Sequence, residues 1–134
     1  MTLVVDASVA LKWVLEEESS SRARALPGTE PLIAPDFLLL ECANVLALRA
    51  RRMAGLGAED AVEALGVISS APMRLLATAP HVGAAQAIAM ELERTTYDAL
   101  YLAIALAEGA VLVTADVRFA RAAEAKYARS VRLL

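Results

Sequence analysis

Short apolar runs alternate with longer segments of helical periodicity along the whole chain. Strands are predicted for five apolar runs, at residues 3–5, 32–35, 73–79, 110–115 and 130–134. Helices are predicted where apolar residues recur at helical spacing, over 7–17, 36–53, 58–70, 80–93, 95–108 and 117–128. The charged stretch 16–31, which contains Pro and Gly, predicts a helix end followed by a turn. Alternating strands and helices predict a mostly parallel sheet with helices on both faces.

Composition narrows the class of protein. A chain of 134 residues predicts one domain over 1–134. The hydrophobic fraction of 58% is high and indicates a large apolar interface. The net charge is −3, so the chain as a whole does not attract nucleic acid. Binding to RNA therefore requires a local basic patch or metal ions.

The number of cysteines and the hydropathy of the chain indicate the cellular compartment in which the protein is expected. Cys42 is the single cysteine, so no internal disulfide forms, and a reducing compartment fits. The chain opens without a basic leader pattern, and its longest uncharged apolar run, 99–107, is too short to span a membrane. We expect a cytoplasmic protein without membrane association.

Carboxylates stand at the places where a parallel sheet binds ligands. Asp6 and Asp116 directly follow two predicted strands, at the carboxyl edge of the sheet. Asp98 lies in the first turn of the helix predicted over 95–108. Each also has a purely structural interpretation, because Asp6 and Asp116 can cap the helices that follow and Asp98 can form a capping box with Thr95.

Glu41 is harder to explain structurally. It shares a helical stripe with Leu38, Val45 and Leu48, so its carboxylate is expected to face the interior. A buried, unpaired carboxylate costs several kcal/mol or takes up a proton. A buried pair with an arginine remains the structural alternative.

Taken jointly, the four acids indicate one site. Carboxylates that converge repel one another and need a positive charge to stay ionised. The donors are all oxygen atoms, and the single histidine, His81, provides no zinc site. The residues therefore point to Mg²⁺ or Mn²⁺.

Four segments resemble the sequence blocks of the PIN-domain family, and most closely those of VapC-type toxins of type II toxin–antitoxin systems. These segments are VVDASVALKW, APDFLLLECANVL, TTYDALYLAIA and VLVTADVRFARAA. They cover the whole chain in the family's order, although the second has a longer apolar lead-in than usual. The resemblance implies a three-layer α/β/α domain with a mostly parallel sheet of about five strands. It also implies a metal-dependent ribonuclease.

Carried onto this chain, the resemblance implies an acidic set of Asp6, Glu41, Asp98 and Asp116. Asp6 and Asp98 would be the principal ligands of Mg²⁺, with Mn²⁺ as a possible substitute, and Asp116 would bind directly or through water. Glu41 would ligate the metal and orient or deprotonate the attacking water. The products would carry 5′-phosphate and 3′-hydroxyl ends.

The resemblance also marks polar positions around the acids. Ser8 and Thr114 match hydroxyl positions that flank the first and last acid, where they would hold waters or acids in place. Asn44, one helical turn after Glu41, matches a polar position of the second block.

Arginines and tyrosines near the blocks have two interpretations. Arg49, Arg52 and Arg118 are candidates for contacts with RNA phosphate or with a partner. The simpler interpretation is that they are solvated helix ends or partners of nearby acids. Tyr97 and Tyr101 share one helix face and are most simply packing or interface residues.

The resemblance implies partners as well as a substrate. It predicts RNA, a homodimer, and a small antitoxin with an N-terminal DNA-binding domain and a C-terminal tail. The alternative is a catalytically silent PIN-fold module whose acidic pocket docks a partner's basic residue. Phosphoryl transfer through an aspartyl intermediate is disfavoured, because Ser8 stands where the corresponding phosphatases have a second aspartate.

Overall fold

A fully parallel sheet forms the centre of the molecule. The computed structural model describes residues 1–52 and 55–134. Its strands are β1 (Leu3–Val5), β2 (Leu32–Pro35), β3 (Met73–Leu76), β4 (Val111–Thr114) and β5 (Val131–Leu133). Every neighbouring pair runs parallel, in the order β3-β2-β1-β4-β5. The described residues thus confirm the expected five-stranded sheet.

Helices flank the sheet and confirm the α/β/α arrangement. In chain order they are α1 (Ala7–Ala10), α2 (Ser20–Arg24), α3 (Phe37–Arg51), α4 (Ala58–Ser69), α5 (Val82–Leu92), α6 (Thr96–Glu108) and α7 (Val117–Tyr127). Two 3₁₀ turns, Leu11–Trp13 and Ala79–His81, follow α1 and precede α5. Across the described ranges, no helix combines the length and apolarity that a membrane crossing requires.

The core lies between β1 and α6. All three residues of β1 are fully buried, as expected for the middle strand of a covered parallel sheet. In α6 every residue from Ala99 to Ala105 is buried. A helix that is apolar all round belongs in the interior, and α6 packs against β1, β2 and β4. This burial gives the first turn of α6 a rigid base.

The strand order creates a crevice between β1 and β4. From β1 the chain proceeds outward to β2 and β3, and it then returns to place β4 on the other side of β1. The connections that leave β1 and β4 therefore diverge at the carboxyl edge, which is where open α/β sheets bind ligands. Asp6 directly follows β1, and Asp116 is the second residue after β4.

Most predicted elements match the structure within a few residues, but the region after α1 does not. The helix predicted over 7–17 is wrong beyond the 3₁₀ turn, and the stretch 16–31 contains α2 as well as a turn. Specific contacts explain the difference. The buried Ser20 hydroxyl donates to the Leu15 carbonyl at 2.8 Å, and the Trp13 indole donates to the Ala23 carbonyl at 3.0 Å. Met53, the predicted end of the second helix, lies outside the described residues.

Candidate active site

Asp6 occupies the turn between β1 and α1 and accepts three side-chain or backbone hydrogen bonds. Its Oδ1 accepts from the Val9 amide at 3.1 Å, so Asp6 does cap α1. Oδ1 also accepts from the Ser8 hydroxyl at 2.5 Å, and Oδ2 accepts from the Thr114 hydroxyl. A carboxylate has about four acceptor positions, so these three hydrogen bonds leave room for one further partner.

The two hydroxyls that contact Asp6 are themselves held by backbone amides of the β4–α7 connection. The Ala115 amide donates to Ser8 Oγ at 2.9 Å, and the Asp116 amide donates to Thr114 Oγ1 at 3.1 Å. Because each hydroxyl oxygen accepts an amide proton, its own hydrogen is directed to Asp6. The expectation that Ser8 and Thr114 hold an acid in place agrees with this geometry.

Asp116 and Asp98 stand at the starts of two helices. Asp116 caps α7, since its Oδ1 accepts from the Phe119 amide at 3.0 Å. Asp98 lies in the first turn of α6, where its amide donates to Thr95 Oγ1 at 3.1 Å. The capping interpretation thus holds for Asp116, whereas at α6 the cap is Thr95 and the described bond comes from the Asp98 amide. Both carboxylates remain only partly buried. Capping and a site at the same edge are compatible.

Glu41 meets a tyrosine in the interior. The Tyr101 hydroxyl donates to Glu41 Oε1 at 2.5 Å, so the arginine pair considered above is not what the structure contains. Tyr101 is only 1% exposed, whereas Tyr97 is 63% exposed and stacks on Phe37. Interpreting Tyr101 as simple packing missed its contact with an acid. The available signal was its spacing, three residues after Asp98 and therefore on the same face of α6.

Burial raises the pKa of three of the four carboxyls. The pKa of Asp6 rises to about 6, mainly because of burial, although the Ser8 and Thr114 hydroxyls oppose the rise. Burial also raises the pKa of Glu41 against the effect of Tyr101, and it raises the pKa of Asp98 against the effect of Thr95. Burial raises the pKa of the Cys42 thiol to about 12, which excludes it as a nucleophile near neutral pH.

The four carboxylates interact through their charges. The Asp98 charge raises the pKa of both Asp6 and Glu41, and the Asp6 charge raises that of Glu41. The Asp116 charge raises the pKa of Asp98. Even so, within residues 1–52 and 55–134 no three His, Cys, Asp or Glu side chains form a ready-made metal site. We call Asp6, Glu41, Asp98 and Asp116, whose charges shift one another's pKa in the pairs just given, the acidic cluster.

The remaining candidate residues, Asn44 and three arginines, differ in exposure and in their contacts. Asn44 is exposed, in contrast to the partly buried Glu41. Arg49 forms an ion pair with Glu17 at 3.1 Å, as one of its two interpretations anticipated, while Arg52 and Arg118 are exposed.

Asp36, a further strand-end aspartate, does not join the acidic cluster. It follows β2 and accepts from the Thr78 hydroxyl at 2.6 Å and from the Thr78 amide at 3.2 Å. The Thr78 hydroxyl oxygen in turn accepts from the Phe37 amide at 3.2 Å. Asp36 therefore ties the end of β2 to the segment after β3.

Comparison with known proteins agrees with the fold and with the blocks. The family model described as PIN domain matches residues 3–125. Ribonuclease VapC3 of Pyrobaculum aerophilum is 37% identical over 126 residues, which cover 90% of this chain and 93% of that protein.

Solved structures give the same result. The crystal structure of PAE2754 from Pyrobaculum aerophilum aligns with a TM-score of 0.67 and 25% identity, over 91% of this chain and 79% of that one. VapC20 of Mycobacterium tuberculosis, described as a sarcin-ricin loop cleaving toxin, aligns with a TM-score of 0.65 and 22% identity, over 90% and 94% of the two chains. VapBC2 of Rickettsia felis, bound to a promoter DNA fragment, gives a TM-score of 0.66 at 15% identity, over 100% and 98%. The chain therefore belongs to the PIN-domain family, among its VapC-type members.

Proposed function

We propose that the protein is a Mg²⁺-dependent endoribonuclease and the toxin of a toxin–antitoxin pair. The observation that carries this proposal is the placement of Asp6 and Asp116 at the crevice between β1 and β4, where the Thr114 hydroxyl contacts both the Asp6 carboxylate and the Asp116 amide. Charge effects that link Asp6 to Asp98 and Glu41, and Asp98 to Asp116, support it. Families that cleave phosphodiesters with a metal need such a cluster of hard oxygen donors. The 37% identity to a ribonuclease supports the same class of reaction.

The donor set fits a divalent cation. The candidate ligands are carboxylates, which suit Mg²⁺ and Mn²⁺ rather than Zn²⁺. Burial and mutual repulsion make ionised Asp6, Glu41 and Asp98 unfavourable, so a cation would relieve an existing cost. We assign Asp6 and Asp98 as principal ligands, with Asp116 direct or through water and Glu41 at the edge of the site. When bound, the cation would make a water more acidic and neutralise phosphate charge.

Side chains of the protein carry out the proton transfer and hold the proposed metal ligands in place. Glu41 orients the attacking water and takes its proton as the water oxygen bonds to phosphorus. The bond from phosphorus to the 3′ oxygen breaks, which leaves 5′-phosphate and 3′-hydroxyl ends once that oxygen gains a proton. Ser8 and Thr114 keep Asp6 in place through the hydrogen bonds described above.

Two exposed arginines are proposed RNA contacts. Arg118 follows Asp116 by two residues and is exposed, as is Arg52 at the end of α3. Either can neutralise a phosphate of the substrate. Arg49 would first have to exchange its ion pair with Glu17.

An antitoxin is the proposed protein partner. A largely apolar groove of about 750 Å³ is lined by residues that include Trp13, Pro27, Val67 and Pro72. Val67 is 52% exposed there, which suits a partner segment with apolar side chains. The Rickettsia felis neighbour is VapBC2, which was solved bound to a DNA fragment from its promoter, and this supports an antitoxin that binds DNA.

A homodimer in the cytoplasm completes the proposal. Leu40, Met90 and Tyr97 are 65%, 70% and 63% exposed, an unusual exposure for large apolar side chains and one that self-association would reduce. The cytoplasm is the proposed compartment, because the proposed RNA substrate is present there.

The decisive experiment is cleavage of purified total RNA by wild type and by Asp6→Asn, with Mg²⁺ or Mn²⁺ and with EDTA. We expect discrete 5′-phosphate fragments from wild type only, and none in EDTA. The proposal fails if folded wild type leaves RNA intact with every metal. Tight capture of a peptide with a basic residue would then favour the silent binding module, whose acidic pocket holds that residue.

A further inference from the structure

Helices α3 and α6 contact each other through two pairs of side chains, each pair formed by one residue from either helix. On α3, Phe37 and Glu41 are four residues apart, and on α6, Tyr97 and Tyr101 are also four apart. Phe37 stacks on Tyr97 with ring centroids 5.5 Å apart and planes at 20°. One turn further, Tyr101 donates to Glu41 at 2.5 Å. The second of these contacts involves an acid of the cluster.

Glu41 depends on this contact for its orientation. Its side chain has three rotatable bonds, which are costly to immobilise and easily misplaced. Among the residues that the structure describes, Tyr101 is the only hydrogen-bond partner of its carboxylate. The bond engages Oε1 and leaves Oε2 without a described donor.

Tyr101 is itself well placed to hold another group. It is 1% exposed and lies in the part of α6 that is buried from Ala99 to Ala105. Asp98 precedes it by three residues on the same helix. The buried helix α6 thus carries both Asp98 and Tyr101, the residue that donates to Glu41 on α3. Side chains on rigid helices hold the geometry of a site more accurately than side chains on loops.

We propose that Tyr101 is a positioning residue that fixes the Glu41 carboxylate relative to Asp98 for the attack of water. This inference rests on the proposed nuclease function and extends it to a residue outside the acidic set. Tyr101 acts through Glu41 and does not contact the substrate. Its hydroxyl should therefore matter only while position 41 carries a carboxylate.

The test is a double-mutant cycle with Tyr101→Phe and Glu41→Gln on a short RNA substrate in Mg²⁺. Tyr101→Phe should lower kcat on the order of 10- to 100-fold, because misplacement by about 1 Å costs about that much, while KM changes less than about twofold. In the Glu41→Gln background the same change should have less than about a twofold further effect. Equal losses in both backgrounds, or a wild-type kcat, would overturn the inference.

Two further measurements separate positioning from packing. Tyr127→Phe removes a hydroxyl from the last residue of α7, at the opposite edge of the sheet, and should leave kcat unchanged. Crystal structures of wild type and Tyr101→Phe should show Glu41 in one orientation in the former and displaced or split in the latter. An unmoved Glu41 would contradict the inference.

Glu41→Asp provides a second test of the inference if Tyr101→Phe does not fold. Glu41→Asp keeps the charge but withdraws the carboxylate by about 1.5 Å from the hydroxyl, so its kcat should fall as well. A Glu41→Asp protein with wild-type kcat would overturn the inference. Absence of cleavage by wild type would instead overturn the nuclease proposal, and the crystal comparison would still decide the role of Tyr101.

Discussion

The Thr114 hydroxyl donates a hydrogen bond to Asp6 Oδ2, across 108 positions of sequence. The two residues meet because β1 and β4 are neighbours in register, with Val5 paired to Val113. Thr114 is fully buried, and its oxygen also accepts from the Asp116 amide at 3.1 Å. One hydroxyl therefore joins the first and the last acid of the cluster.

Replacement of Thr114 tests the connection that its hydroxyl makes between Asp6 and the Asp116 amide. Thr114→Val keeps the volume of the side chain but leaves the Asp6 carboxylate short of a donor and the Asp116 amide short of an acceptor. Unfolding free energy should fall by about 1–3 kcal/mol, the usual cost of an unsatisfied buried group. The pKa of Asp6 should also rise, because the Thr114 hydroxyl lowers it. Urea unfolding and NMR titration of the Asp6 carboxyl measure the two effects, and Thr114→Ser should retain most of both.

Asp6 should reduce the stability of the metal-free protein at neutral and alkaline pH. Burial raises its pKa from 3.8 to about 6, so the folded state disfavours the ionised form. The resulting cost is present in full above pH 6 and disappears as the pH falls towards 3.8. Asp6→Asn should therefore stabilise the protein by up to about 3 kcal/mol at pH 8 and have little effect near pH 4, since a rise from 3.8 to about 6 corresponds to that energy at about 1.4 kcal/mol per pKa unit. Urea unfolding in EDTA at both pH values measures the difference.

Asp36 gives a control of opposite sign. The hydrogen bond from the Thr78 hydroxyl holds the pKa of Asp36 below its usual value, so ionised Asp36 favours the folded state. Its contribution is present above the unfolded pKa and is lost as the pH falls through the folded one. Asp36→Asn should lower stability at pH 8. If both variants moved stability in the same direction, the electrostatic explanation for Asp6 would be wrong.

The sequence predicted the architecture better than the side-chain contacts. Periodicity was sufficient for the strands and for α6, because burial repeats regularly in those elements. It failed for α2, which depends on the single contacts of Ser20 and Trp13. Within the site, Asp6 and Asp116 were suggested by their places at strand ends, and Thr114 by the family resemblance. The role of Tyr101 was not, because a tyrosine on an apolar helix face looks the same whether or not its hydroxyl meets an acid.

Mg²⁺ should stabilise the folded protein through Asp6 and Asp98. A ligand that binds only the folded state adds about 2.7 kcal/mol at one hundred times its Kd. We therefore expect the unfolding temperature of wild type to rise by several degrees when EDTA is replaced by MgCl₂. Asp98→Asn should lose most of that rise. Asp60→Asn, at the start of α4, serves as the matched control and should keep it. An equal rise in Asp98→Asn would exclude Asp98 as a ligand.

Arg118 should contribute to RNA binding through a single phosphate. Its guanidinium is exposed in the first turn of α7, two residues after Asp116. Each phosphate contact on single-stranded nucleic acid adds about 0.7 to the slope of log affinity against log salt. Arg118→Ala should weaken binding of a short RNA and reduce that slope by about 0.7, as measured by fluorescence anisotropy with Asp6→Asn protein so that the RNA stays intact. Arg24→Ala removes another exposed charge, one already paired with Glu16 at 2.8 Å, and should leave the slope unchanged. Equal slopes for all three proteins would mean that the RNA phosphates bind elsewhere, and Arg52 would be the next residue to replace.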